Sequence, residues 1–240
     1  MNGASILQTE GLRKRFGGVA AVDGVDFTLA ETELRCVIGP NGAGKSTFFK
    51  MLSGQLRPTA GRILFRGADI TVEERYRIAR RGVAIKTQVP SVFDGLTVRE
   101  NVRLSAARRR DSAGAAGVVD EVLLRVGLRD HAHRRVGELA HGQRQWVEIG
   151  MLVAADPVLM LLDEPTAGMT KDEVIRTAEM IRGLSKQRAV VVVEHDMQFV
   201  RMIDANVTVF HQGRILAEGT TDTILKDPQV RNVYLGKRAR

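Results

Sequence analysis

With 240 residues and 44% hydrophobic side chains, the chain can bury one large core, or a core carrying an inserted subdomain. Its continuous apolar runs, such as 158–162 and 189–193, fall far short of the roughly 20 residues a membrane helix needs, and the first ten residues lack the basic start and apolar stretch of a secretory signal. The net charge of +8 suits nucleic acid, an anionic membrane surface or phosphorylated ligands, but the densest run, Arg108-Arg109-Arg110, lies among Ala, Ser and Gly without aromatic residues, as a solvated surface does.

In chain order, 34–38 is a short apolar run that ends in a Gly-rich turn, and 46–53 reads as a helix. Cys36 lies in that run; as the one cysteine it excludes an internal disulfide, fits a reducing cytoplasm and reads as a core thiol. From about 97 to 155 the pattern is helical, most clearly over 118–126 and 143–154, whereas 105–117 reads as a loop or weak helix. Trp146 reads as a core anchor for its helix. The runs 158–162 and 189–193 look like strands of a parallel sheet buried on both faces, with helical spacing over 173–184 and 197–203. The segment 207–216 predicts a hairpin turning at Gln212-Gly213. This alternation predicts an α/β fold with a mainly parallel sheet, divided as 1–96, a helical insertion 97–155, and 156–240.

Gly39-Pro40-Asn41-Gly42-Ala43-Gly44-Lys45-Ser46, followed by Thr47, fits the phosphate-loop pattern G-x-x-x-x-G-K-[ST]. Glycines let the backbone wrap a phosphate so that its N–H groups donate inward, and the following helix adds its positive end. Lys45 can reach the β- and γ-phosphates of ATP, and the Ser46 hydroxyl can ligate Mg²⁺. The run 158–162 delivers Asp163 and Glu164 to a strand's C-terminal end, where open α/β sheets bind ligands. Beside a phosphate loop, Asp163 would hold Mg²⁺ and Glu164 would act as general base on the attacking water.

With those motifs in place, the sequence resembles the ABC ATPases over nearly its whole length. The resemblance implies a P-loop NTPase (RecA-like) core with a mainly parallel sheet, an antiparallel β part and an inserted α-helical subdomain. Gln88 looks like the family's glutamine that touches Mg²⁺ and senses the membrane partner, and His195 like the histidine that contacts the γ-phosphate. Phe16 resembles the aromatic residue that stacks on adenine, although a Phe near an early strand also suits a core. Leu139-Ala140-His141-Gly142-Gln143 occupies the place of the L-S-G-G-Q signature, which caps the facing subunit's ATP. It departs from that signature at Ala140 and His141, and Ala167-Gly168-Met169-Thr170 lacks the usual aspartate. His141 replaces the lost donor only if its ring turns toward the phosphate.

Within the family, the stretches 139–152, 167–170 and 227–236 are similar to urea-type importer ATPases, themselves part of the branched-chain amino-acid uptake family. The resemblance implies ATP hydrolysis driving import of urea or a related small amide; the alternatives are a branched-chain amino-acid importer ATPase and a slowly hydrolysing regulator. It also implies ATP and Mg²⁺, a second ATPase subunit, two transmembrane permease subunits and, indirectly, a solute-binding protein, with no nucleic acid. The chain would then sit in the cytoplasm, peripheral on the inner face of the cell membrane. DNA-repair ABC ATPases carry long coiled coils, and no sustained heptads occur here. Translation-type ABC proteins need two such domains in one chain.

Overall fold

A computed structural model describes residues 5–87, 91–107 and 112–235. Its central layer is a six-stranded sheet in the order β10-β9-β3-β8-β7-β6. The strands are β3 (Leu34–Ile38), β6 (Val83–Lys86), β7 (Leu159–Asp163), β8 (Ala189–Val193), β9 (Asn206–His211) and β10 (Arg214–Thr220). β9, β3, β8, β7 and β6 run parallel, and β10 closes one edge antiparallel to β9. The β9–β10 turn falls at Gln212-Gly213, both with positive φ (50° and 78°), as a two-residue hairpin turn requires.

Alternate side chains of these strands feed two separate cores. Met160, Leu162, Val190 and Val192 join one cluster, while Leu159, Leu161, Val191 and Val193 join the other. Successive side chains leave a strand on opposite faces, so a strand covered on both must be apolar throughout. That is why 158–162 and 189–193 are unbroken apolar runs.

One face is covered by α1 (Lys45–Leu52) and a second, antiparallel sheet in the order β2-β1-β4-β5. Its strands are β1 (Ser5–Phe16), β2 (Val19–Ala30), β4 (Ala60–Phe65) and β5 (Ala68–Asp69), and α2 (Arg75–Arg81) follows. The other face carries α3 (Val98–Ala106), α4 (Ser112–Arg125), α5 (His141–Ala154), α6 (Lys171–Ser185) and α7 (Met197–Ile203). Thr97 caps α3 by accepting from the Glu100 N–H while Glu100 accepts from the Thr97 N–H, a reciprocal box. Trp146 is buried in this second core, its indole N–H donating to Thr177 on α6 at 2.9 Å. α8 (Thr221–Lys226) and α9 (Pro228–Leu235) end the described chain. Among the described residues no helix is long and apolar enough to cross a membrane.

The expected loop or weak helix over 105–117 divides differently: α3 runs to Ala106 and α4 begins at Ser112.

Candidate nucleotide site

The loop 39–44 links β3 to α1, and two of its glycines are demanded by close backbone approach. A Cβ on Gly39 (φ 152°) would lie 2.3 Å from the Phe210 carbonyl oxygen, and one on Gly44 (φ 105°) 2.3 Å from that of Ala21. The Gly213 N–H donates to the Ala43 carbonyl at 2.9 Å, so the β9–β10 turn braces the loop. Gly44 is the N-cap of α1 and has no side chain to occupy the helix's free N–H groups. Lys45 is buried and folds back, donating to the Gly39 carbonyl at 2.7 Å and the Pro40 carbonyl at 3.1 Å. Burial lowers its pKa, opposed by the charges of Glu164 and Asp163. Ser46 and Thr47 follow in the first turn of α1, both half-buried, while Asn41 and Gly42 are exposed.

Asp163 ends β7 and Glu164 follows it with φ 45°, its N–H donating to the Val193 carbonyl at 3.0 Å. Asp163 is buried, and its Oδ1 has no hydrogen-bond partner. Burial, then the neighbouring Glu164 charge, push its pKa up to about 6 against the pull of Lys86 and Lys45. Among the described residues no group of three His, Cys, Asp or Glu side chains is placed to hold a metal unaided. An orphaned carboxylate oxygen within electrostatic reach of the phosphate-loop lysine nevertheless suits Mg²⁺, which keeps several waters and shares phosphate oxygens.

His195 follows β8, mostly exposed, with Nδ1 3.5 Å from Glu164 Oε1. Asp196 next to it caps α7, accepting from the Gln198 N–H at 2.7 Å. Phe16 ends β1 with 51% exposure and Lys14 Nζ 5.3 Å from its ring centroid, so the core reading of this residue fails. Gln88 lies outside the described residues, as do Arg108-Arg109-Arg110.

The segment 139–143 stands elsewhere, on the side of the sheet opposite α1. Its helix α5 begins at His141, two residues before the expected Gln143, because Ala140 is extended (φ −61°, ψ 156°) and serves as N-cap. Ala140 offers no side-chain acceptor; half of a capping box survives, with Gln143 Oε1 accepting from the Ala140 N–H at 3.2 Å. Leu139 is buried, Ala140 and His141 are exposed, and Gln143 Nε2 is 3.0 Å from His131 Nε2. The His141 ring turns onto its own chain: Nε2 lies 3.1 Å from the Ala167 carbonyl oxygen and 3.2 Å from Gln145 Nε2. A Cβ on Gly142 would meet the Glu173 carboxylate at 2.3 Å, so a negative group rests against the start of α5.

Sequence reasoning passed over Lys86 and Glu148, whose charged ends lie 3.6 Å apart and fully or nearly fully buried. Glu148 also accepts from the Ser91 N–H at 3.0 Å. Nothing in a lysine at a strand end or a glutamate within a helix marks such a pair, since each alone reads as solvated.

The segment 22–167 matches the profile of the family described as ABC transporter, and 214–240 the one described as branched-chain amino acid ATP-binding cassette transporter. The chain is 35% identical to the high-affinity branched-chain amino acid transport ATP-binding protein BraF of Pseudomonas aeruginosa, over 97% of this chain and 98% of that one. LivG of Escherichia coli, which carries the same description, is 34% identical over the same shares. Among solved structures, the ADP conformation of MJ1267, an ATP-binding cassette of an ABC transporter, superposes with a TM-score of 0.85 at 29% identity, covering 97% of this chain and 99% of that chain. A nucleotide-free cassette from an ABC transporter gives 0.84, also at 29% identity, covering 96% and 98%.

Proposed function

The chain belongs to the ABC transporter family of ATP-hydrolysing subunits, and from that premise we propose that it powers import of branched-chain amino acids. The observation that carries this reading is end-to-end similarity to BraF and LivG, joined by the match of 214–240 to a branched-chain amino acid cassette profile. It replaces urea, suggested by the stretches 139–152, 167–170 and 227–236, as the favoured solute.

In this reading the loop 39–47 wraps the ATP phosphates, Lys45 leaving the Gly39 and Pro40 carbonyls for phosphate oxygens. Phe16 stacks on the adenine. Ser46, Asp163 and Gln88 would hold Mg²⁺, which when bound would neutralise phosphate charge. Glu164 takes a proton from the attacking water as the water oxygen bonds to the γ-phosphorus and the bond to ADP breaks. His195, next to Glu164, contacts the γ-phosphate.

The helical segment 97–155 carries the signature, and Leu139 to Gln143 cap ATP held by a second subunit. Such a pair would sit on the inner face of the membrane, docked on two permease subunits fed by a solute-binding protein. Deleting the gene should abolish uptake of labelled leucine, isoleucine and valine, restored by wild type and not by Lys45→Ala. Unchanged uptake of all three together with lost urea uptake would overturn the solute assignment. Steady-state ATP turnover of the chain with its partners separates the transporter motor from a slowly hydrolysing regulator.

A further inference from the structure

One buried carboxylate has no part in the chemistry above. Glu194 follows the all-apolar strand β8 and is 1% exposed. A carboxylate so placed destabilises the fold unless its oxygens are well bonded. Oε1 accepts from the Thr166 hydroxyl at 2.6 Å and from the Thr166 N–H at 3.2 Å, and Oε2 accepts from the His195 N–H at 3.2 Å. The Glu194 N–H donates to the Val37 carbonyl at 3.2 Å, anchoring the residue to β3 just before the phosphate loop.

These bonds join two segments that must act together. Thr166 is two residues beyond Glu164, and His195 directly follows Glu194. Glu164 holds a left-handed conformation, which a non-glycine residue keeps only when its surroundings impose it. Its own N–H is tied to Val193, and its carbonyl accepts from the Ala167 N–H at 3.3 Å. The Glu194 bonds thus add a second tie between the turn after Glu164 and the backbone that carries the His195 ring, beside the Glu164 N–H bond to Val193.

We propose that Glu194 is a positioning residue for hydrolysis, a two-pronged latch that sets Glu164 and His195 at their working separation. The latch rests on the reading of Glu164 as general base and His195 as γ-phosphate contact. It predicts that disturbing the latch slows the chemical step while leaving nucleotide binding alone, because none of its bonds reaches the loop that holds the phosphates.

The test is steady-state turnover and ATP titration on Glu194→Gln, Thr166→Val, Thr166→Ser and Glu164→Gln, with the partner subunits present. Glu194→Gln keeps the shape but turns an amide NH₂ toward donors, so kcat should fall by roughly tenfold or more, with ATP affinity within about twofold. Thr166→Val should lower kcat by about threefold to tenfold, and Thr166→Ser, which keeps the hydroxyl, should return it to within about twofold of wild type. The double variant Glu194→Gln/Thr166→Val should be no slower than the slower single variant, since both cut the same latch. Wild-type kcat in Glu194→Gln, or a fall in thermal stability with kcat of the folded protein unchanged, overturns the proposal. If Glu194→Gln fails to fold, the Thr166 pair decides alone: wild-type kcat in Thr166→Val, or no rescue by Thr166→Ser, overturns it. Glu164→Gln separates the two levels, with an expected loss of about 10²–10⁴ in kcat. Full turnover in that variant sinks the underlying reading, whereas a dead Glu164→Gln beside fully active Glu194 and Thr166 variants sinks only the latch.

Discussion

The turns that lead into α1 and α5 are built to opposite charge. At the start of α1, Gly44 leaves the helix's N–H groups uncovered and Lys45 adds an ammonium. At the start of α5, Ala140 is equally bare, but the Glu173 carboxylate presses against Gly142 and the His141 ring is drawn to Ala167. A helix N-terminus favours anions through its dipole, and a nearby carboxylate offsets that preference. The first turn is therefore suited to a phosphate bound within one chain, as in the function proposed above. The second is a weaker platform for an anion, which agrees with the proposed role of capping phosphate that another subunit presents. Two helix N-termini that both lack a side-chain cap can thus differ in their pull on an anion through the charges placed beside them.

The comparison breaks most readily at Lys45. Lys45→Ala removes the ammonium that distinguishes the first turn, and ATP affinity measured by titration should fall about a hundredfold, the loss of two charge-assisted bonds. Affinity equal to wild type would make the two turns equivalent after all. Ala140→Ser works from the other side. A serine N-cap should stabilise α5 by about 1 kcal/mol, raising the melting temperature. Its hydroxyl also supplies one donor toward the facing phosphate, so turnover of the isolated chain should rise by roughly tenfold. A rise in melting temperature with no gain in turnover would show that the missing hydroxyl does not limit the second turn.

Asp163→Asn sharpens the electrostatic half of the comparison. The folded-state pKa of Asp163 is raised to about 6, so between its unfolded value of 3.8 and that pKa the folded protein binds more protons than the unfolded one. Stability of the nucleotide-free protein therefore falls as pH rises through this window. Asn should remove that dependence and stabilise the protein at pH 7 by about 1–3 kcal/mol, while ATP turnover is lost. Denaturant melts at pH 5 and pH 7 that shift in parallel for wild type and variant would contradict the assignment. The smallest effect belongs to Glu173→Gln, which keeps the capping box of α6 with Thr170 but removes the charge beside Gly142. ATP-driven pairing of subunits, followed by light scattering, should tighten about twofold to fivefold. Weaker pairing would mean that the carboxylate serves the interface.

Whatever lay contiguous along the chain was legible. β3 and β8 are the expected runs, β7 is displaced by one residue, and α7 matches its predicted span. The parallel strands announced themselves because both faces are buried. The antiparallel sheet did not resolve into strands: β1 and β2 carry repeated register shifts, and Gly11 at φ 54° with Arg13, Lys14 and Arg15 interrupts any period of two. The candidate site divides in the same way. Lys45, Asp163 and Glu164 stand in short motifs whose chemistry is written locally. The Glu194 bonds to Thr166 span 28 residues and exist only once β7 and β8 pair, and the approach of Glu173 to Gly142 exists only once α6 packs on α5.

Cys36 turns the central sheet into its own clock. It is the single thiol of the chain, fully buried in β3 between β8 and β9, and burial pushes its pKa far above the usual thiol range. A maleimide added to the native protein has no other thiol to find, and this one reacts only when the strands part. The labelling rate therefore reads how often the middle of the sheet opens, with no probe engineered in. Because β3 runs directly into the loop 39–44, slower labelling with added nucleotide would report how far occupancy of the loop is felt in the middle of the sheet.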